Sequence, residues 1–486
     1  MAHWLKDRGF EAYALIGGVT ALENGHRASV ELDAAPVASA ASTPRRGALA
    51  ALHHPRFRLF SAGVLFSLTG NWVEAAAFGY VVLLLGGSPA TLGVIGFLNT
   101  IPNLVWGLPA GVLADRYDRR RLLLGFQAAN MTVAVLLAVL WQTGALTVPL
   151  LGAIAVIGGS LGTLSFPAFQ GVLASTVPAE DLESAVAINS LFLQVARFVG
   201  PAIAGILLAT AGPTWVFAVN AVSFLGVLIA VALLPGSHGI ISGTVGKLGG
   251  SMREAVTYVF EQRSIASLMI LTALAGVFGT PPIAFMLPAL ARVQLDGGGG
   301  TLGALTASIG LGSLLGSAVL LVLARRPNKG EPVVVTFLFT AVAVAAVGVS
   351  HSLPLSLGLG ILGGFCGVVF VGLSTVVVQT AASNSMRARV SAIWAAAFVG
   401  LLPLGGLITA ALTAAFGPGG AVLTDGLAML IGGAVVIVRR PEVMWLGCAA
   451  LPEACIAATD PAAFALQAAT PATGAERGGG RFASGS

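Results

Sequence analysis

After residue 57 this chain is a series of apolar runs, each about the twenty residues that cross a bilayer as a helix, separated by short polar breaks. Twelve spans are predicted, at 59–85, 92–114, 121–142, 147–172, 184–209, 214–234, 265–290, 301–324, 332–350, 354–380, 389–413 and 418–438. Many contain Gly or Pro, which membrane helices accommodate where neighbouring segments satisfy the freed backbone groups. One break stands apart. In GLPAGVLADRYDRRR, residues 107–121, six charges fall within seven positions: Asp115, Arg116, Asp118, Arg119, Arg120 and Arg121.

The other breaks sort by charge. Arg45, Arg46, Arg56 and Arg58 precede the first span, and the stretch 235–264 holds Lys247, Arg253 and Arg263. Arg325, Arg326 and Lys329 follow span eight, Arg387 and Arg389 follow span ten, and Arg439 and Arg440 follow span twelve. The alternate breaks lack Lys and Arg, apart from Arg292 near the end of span seven. By the positive-inside rule both termini and the central connection are expected in the cytoplasm, which requires an even number of spans.

Composition supports the same class. Only 9% of the 486 residues are charged and 56% are hydrophobic, with a mean hydropathy of +0.91, against about 25% charged in a soluble domain. This excludes a water-covered globular fold. The net charge of +5 is explained by topology, so no nucleic-acid partner is expected. Three cysteines, Cys366, Cys448 and Cys455, show neither metal spacing nor a disulfide framework.

The chain also repeats. AGPTWVFAVNAVSF at 211–224 corresponds to FGPGGAVLTDGLAM at 416–429, 205 residues later, and SAVAINS at 184–190 corresponds to RVSAIWA at 389–395. LADRYDRR at 113–120 faces LARRPNKG at 323–330. Two parallel six-span halves joined by a long connection form an architecture in which substrate binds near the midplane between halves.

On these residues the sequence resembles the major facilitator superfamily. GVLADRYDRRRLLL matches that superfamily's signature between spans two and three at Gly111, Leu113, Asp115, Arg116, Arg119, Arg120 and Leu123, with Asp118 in place of the usual glycine. FRLFSAGVLFSLTGNW at 57–72, GSPATLGVIG at 87–96 and the pattern at 178–190 resemble its exporter branch of siderophore, macrolide and multidrug efflux proteins. RFVGPAIAG at 197–205 resembles the antiport signature of span five through Gly200, Pro201 and Gly205, with Ala204 where a second glycine is usual. The resemblance implies an all-α integral membrane fold of twelve transmembrane helices in two pseudo-symmetric six-helix bundles. It also implies that Asp115 docks near Ala388–Val390, at the start of span eleven, when the carrier faces outward, and that the arginines pair across the cytoplasmic face.

Ionisable groups at membrane depth cost at least about 2.5 kcal/mol, so each is a candidate. Glu74 shares a helical face with Asn71 and Phe78; it is a proton or substrate carboxylate, or a structural one. Arg197, one turn from Gln194, pairs with a carboxylate or an anionic substrate, or bridges span five to its neighbours. Asp425 occupies the repeat position of Asn220 and is read as structural. Span four lacks the arginine of the superfamily's proton-transfer signature, so coupling to protons rests on branch membership.

The expected organisation is 1–35 as a segment resembling the C-terminal end of a rhodanese domain, without its cysteine loop and so inert, and 36–56 as a linker. The two bundles follow at 57–234 and 265–440, around a central cytoplasmic loop at 235–264, and 441–486 is a low-complexity tail. No nucleotide-binding loop, Ser/His/Asp grouping or metal spacing occurs, so neither an enzyme nor a cofactor is expected. The function expected is proton-coupled export of a small amphipathic molecule by a monomer in the inner membrane. The alternative is an importer or uniporter of a sugar or other metabolite in the same fold.

Overall fold

The computed structural model describes residues 49–234, 252–382 and 386–446, and among them every regular element is helical. The rhodanese-like segment and most of the linker, the central loop and the tail, Cys448 and Cys455 included, lie outside the described residues.

Six long helices fill the first stretch: α1 Pro55–Leu84, α2 Pro89–Arg116, α3 Arg119–Gln142, α4 Val148–Ser175, α5 Leu182–Thr210 and α6 Pro213–Leu233. Their starts follow local chemistry. Proline opens α1, α2 and α6, where its missing N–H leaves no helix bond unmade. Ser88 and Asp118 cap α2 and α3, accepting from the backbone N–H of Thr91 and Arg121.

The second half begins with α7 Met252–Glu261, inside the stretch read from sequence as a loop. Ten residues are too short to span a membrane. Ala255 and Val259, four apart, bury on its inner side while Phe260 stays exposed. Span seven follows as α8 Arg263–Leu274, continued through a π-helical turn Ala275–Gly279 and the segments Thr280–Phe285, Leu287–Ala289 and Leu290–Gln294. The sequence reading treats it as one helix. Pro281, Pro282 and Pro288 break it, because proline removes a donor and clashes with the preceding turn. Then come α9 Gly299–Leu323, α10 Gly330–Val349, α11 Leu353–Ala381, α12 Arg387–Phe398 and α13 Leu402–Arg439.

Among the described residues nine helices are long and apolar enough to cross a membrane, or ten when α2, bent by 57° at Pro109, counts as one span. That count omits α1, thirty residues long with Asn71 and Glu74 inside, and takes the 51-residue run Arg389–Arg439 once. The expected twelve is reached by adding α1 and separating the two limbs of that run at Gly417.

The repeat is visible in the backbone at this point. Gly212 (φ 82, ψ 177) separates α5 from α6, and Gly417 (φ 73, ψ 174) breaks α13 in the same conformation 205 residues later. Side chains are almost never found there. Alanine at either position is expected to cost about 1–3 kcal/mol, read as a lower thermal unfolding midpoint of the purified chain.

Buried residues form one cluster within 51–234, around Phe57, Phe60 and Leu123, and another within 259–446, around Phe337, Phe370 and Leu373. A third is shared, with Val81, Leu92 and Ile95 meeting Met286, Leu290 and Leu302. Between the halves, small residues let backbones approach, the packing mode of helices in lipid. A Cβ on Gly205 of α5 would lie 2.7 Å from the Gly303 Cα of α9, and one on Gly93 of α2 would lie 2.7 Å from the Ala410 Cβ of α13.

These contacts are one-sided. Gly93 and Gly96, on the first turns of α2, meet Ala410 and Phe285 of the other half. Further along the same helix Leu104 is 64% exposed, and a Cβ on Gly107 or Gly111 would meet nothing within 4 Å. On α5 the contacts run from Leu208 back to Gln194; beyond it Ser190, Leu191 and Ala187 are exposed. The halves touch at the end with few charges and separate towards the end that carries Asp115 and the arginines.

Candidate functional site

The α2–α3 turn is built by its own charges. Arg119 Nε donates to the Ala114 carbonyl at 3.2 Å and its Nη2 to Asp115 Oδ1 at 3.2 Å, closing the last turn of α2. Arg120 donates to the carbonyls of Val231 and Ala232 at 2.9 and 2.7 Å, adding to the Leu234 N–H that already bonds Val231 and tying α3 to the end of α6. Asp118, the departure from the superfamily pattern, is the cap of α3 at 2.8 Å from Arg121 N. Asp115 and Arg116 remain exposed, and a Cβ on Gly111 would meet open space.

In this conformation the arginines therefore act within the first half. Among the described residues Asp115 has no partner in the second half. The start of α12 is engaged from its own side, with Arg389 3.4 Å from Glu254 of α7. The pairs His54–Asp181 and Arg263–Glu442 likewise each lie within one half.

At membrane depth Glu74 of α1 accepts a hydrogen bond from Asn220 Nδ2 of α6 at 2.6 Å. Asn220 is itself held by Ser223, whose hydroxyl lies 3.1 Å from Asn220 Oδ1. Asn71, one turn earlier on α1, is exposed. Arg197 of α5 does not pair with Glu74. Its guanidinium lies over the Trp72 ring of α1, 5.1 Å from the centroid. Gln194 reaches across the halves and donates to Ser317 Oγ of α9 at 2.8 Å. The structure thus brings Arg197 and Gln194 to the level where the contact between halves ends, and it holds Glu74 against α6.

The antiport-like stretch has a packing explanation for each residue. Gly200 seats against Trp72, Pro201 is buried, and Gly205 crosses Gly303. Ala204 is fully buried beside Val73, Ala77 and Val216. Asp425 is fully buried and accepts from Thr409 Oγ1 at 2.7 Å. The repeat pointed to the Asn220 and Asp425 positions, but nothing in the sequence indicated Trp72 beneath Arg197 or Ser317 opposite Gln194. Among the described residues no group of three or more His, Cys, Asp or Glu side chains is placed to hold a metal ion.

Removing the Asn220 amide would leave the Glu74 carboxylate with no donor among the described residues. Asn220→Ala is expected to destabilise the chain by about 1–3 kcal/mol, read as a drop in thermal midpoint. Glu74→Gln in the Asn220→Ala background should recover part of it, because the buried charge is then gone.

Residues 46–447 match a family described as transmembrane secretion effector. The multidrug efflux pump Tap of Mycolicibacterium fortuitum is 26% identical over 404 residues, 81% of this chain and 97% of that protein. The enterobactin exporter EntS of Escherichia coli O81 is 24% identical over 401 residues, 80% of this chain and 93% of that protein. The staphyloferrin A transporter of Staphylococcus aureus is 28% identical over 176 residues; the match spans 36% of this chain and 44% of that protein, less than half its length. Among solved structures, a D-xylose-proton symporter aligns with a TM-score of 0.64 at 14% identity, covering 80% of this chain and 98% of that one. A bacterial homolog of the human lysosomal transporter Spinster aligns at 0.59 and 14%, covering 81% and 96%. These two likenesses show the fold.

Proposed function

The chain belongs to the transmembrane secretion effector family of major facilitator transporters, a family of membrane carriers and not of enzymes, and from that premise we propose that it exports a small amphipathic molecule by alternating access, driven by proton exchange. The observation that carries this reading is the one-sided contact between halves. The structure is closed where the breaks lack charge and open where Asp115 and the arginines lie, a shape that loads from the basic face. By the positive-inside rule that face is cytoplasmic, with both termini on it and the chain a monomer in the inner membrane. Its efflux-pump and siderophore-exporter relatives support the outward direction.

In the cycle, substrate enters between the halves from the basic face. The halves then rock, the contacts at Gly93 and Gly205 part, and Asp115 meets the start of α12. α2 and α13 lie side by side at the other end, so a rock that parts them there swings the basic end of α2 towards the start of α12. Glu74 is the proposed proton carrier, with Asn220 holding its oxygen in place. Gln194 and Ser317 mark the inner edge of the closure that must open.

Inverted membrane vesicles test the direction. With an imposed proton gradient, a panel of dyes, macrolides and siderophores should include at least one compound that accumulates inside, and Glu74→Gln should remove the dependence on the gradient. Accumulation only in right-side-out vesicles would replace export with import of a metabolite.

A further inference from the structure

Among the ionisable side chains inside the spans, both carboxylates already have donors: Glu74 from Asn220 and Asp425 from Thr409. Arg197 is different. Among the described residues none accepts from its N–H donors, no carboxylate stands within ion-pair distance, and the Trp72 ring is its one contact of this kind. A cation at this depth costs more than about 2.5 kcal/mol, and stacking on an aromatic face returns about 0.5–2 kcal/mol. The group is short of an anion.

Its position says where that anion would come from. The carbonyl of Arg197 and the backbone of Phe198 pack on Gly310 of α9, and Gln194, one turn further, bonds Ser317. Beyond that turn Leu191, Ser190 and Ala187, three, four and seven residues from Gln194 and so on its side of α5, are exposed. Arg197 therefore stands at the head of the opening, with exposed Asn71 on the neighbouring helix beside Trp72. The indole contact occupies none of the guanidinium's N–H donors, the groups that form two parallel hydrogen bonds to a carboxylate.

We propose that Arg197, steadied by Trp72, binds the anionic head group of an amphipathic substrate, a carboxylate or similar oxyanion. The substrate's apolar body would lie against the exposed aliphatic walls below. This rests on the carrier reading above and narrows its substrate class: the charge selected is negative, because the acids at this depth are tied to α6 and α13.

The test uses the full chain in lipid nanodiscs with 1-pyrenebutyrate and its neutral methyl ester, a pair differing in one charge. Pyrenebutyrate should bind saturably above empty discs, and Arg197→Gln should weaken it about tenfold or more. Ester binding should be weaker than acid binding in the parent chain and unchanged in the variant, which shows that the variant is folded. Arg197→Lys should fall between, since it keeps the charge and loses the fork. Three results would each overturn the proposal: no saturable pyrenebutyrate binding by the parent chain, ester bound as tightly as acid, or equal loss of both probes in Arg197→Gln, the mark of a mere buttress between α1 and α5. None of them bears on the direction of transport, which the vesicle experiment reads separately.

Discussion

Leucine at Gly205 is expected to stop transport and to turn the carrier towards the opposite opening. In the described conformation Gly205 and Gly303 meet backbone to backbone, with no room for a side chain. Overpacking costs about 1–3 kcal/mol where neighbours can shift, about 5- to 150-fold in a two-state equilibrium, and backbone atoms cannot move aside. The effect should therefore lie at the upper end of that range. In the proposed cycle the strain belongs to one state only, because rocking would separate α5 from α9 at this level. Leucine at Gly205 should thus leave the chain folded, raise labelling of cysteines placed on the uncharged end of α9 and lower labelling between the basic ends. A chain that unfolds, or transports normally, would remove Gly205 from the gate.

Asp115→Asn should give the reverse signature. Among the described residues the carboxylate bonds only Arg119, a pair four residues apart worth about 0.3–0.5 kcal/mol. The thermal midpoint should therefore barely change. In the opposite state the same carboxylate would sit at the first turn of α12, where a partly shielded anion gains up to about 2 kcal/mol from the helix dipole. Losing it should slow transport by about five- to thirtyfold, with the open basic face favoured. A large stability loss with unchanged transport would mean that Asp115 serves only the turn. Arg120 is the useful contrast: its bonds to Val231 and Ala232 make its loss a stability defect first.

Much of the fold was legible because a span needs only length and apolarity, which the sequence states directly. The repeat was equally plain, and Gly212 and Gly417 carry it down to the backbone angles. Three elements were missed for physical reasons. The breaks in span seven follow from how Pro281, Pro282 and Pro288 are tolerated, and the sequence does not reveal whether a proline kinks a membrane helix or ends it. α7 is short and amphipathic, and its two buried residues are too few to stand out in a loop. The partners of Glu74 and Arg197 depend on which way each helix is turned. In lipid both the packed and the exposed sides of a helix are apolar, so the pattern carries little of that rotation. Asp118 was the opposite case: read as a departure from a family pattern, it is explained by local capping alone.

The central claim is that the two ends of the molecule close in turn and never together. Paired spin labels at Val112 and Ala392, on the basic ends of α2 and α12, and at Val94 and Phe416, on the opposite ends of α2 and α13, measure both closures in one lipid preparation. All four positions are exposed. The resting chain should show a long Val112–Ala392 distance with a short Val94–Phe416 distance, and Gly205→Leu should exchange the two. If both distances stay fixed in the variant, or lengthen together, the halves do not rock about a shared contact and the alternating-closure mechanism is wrong.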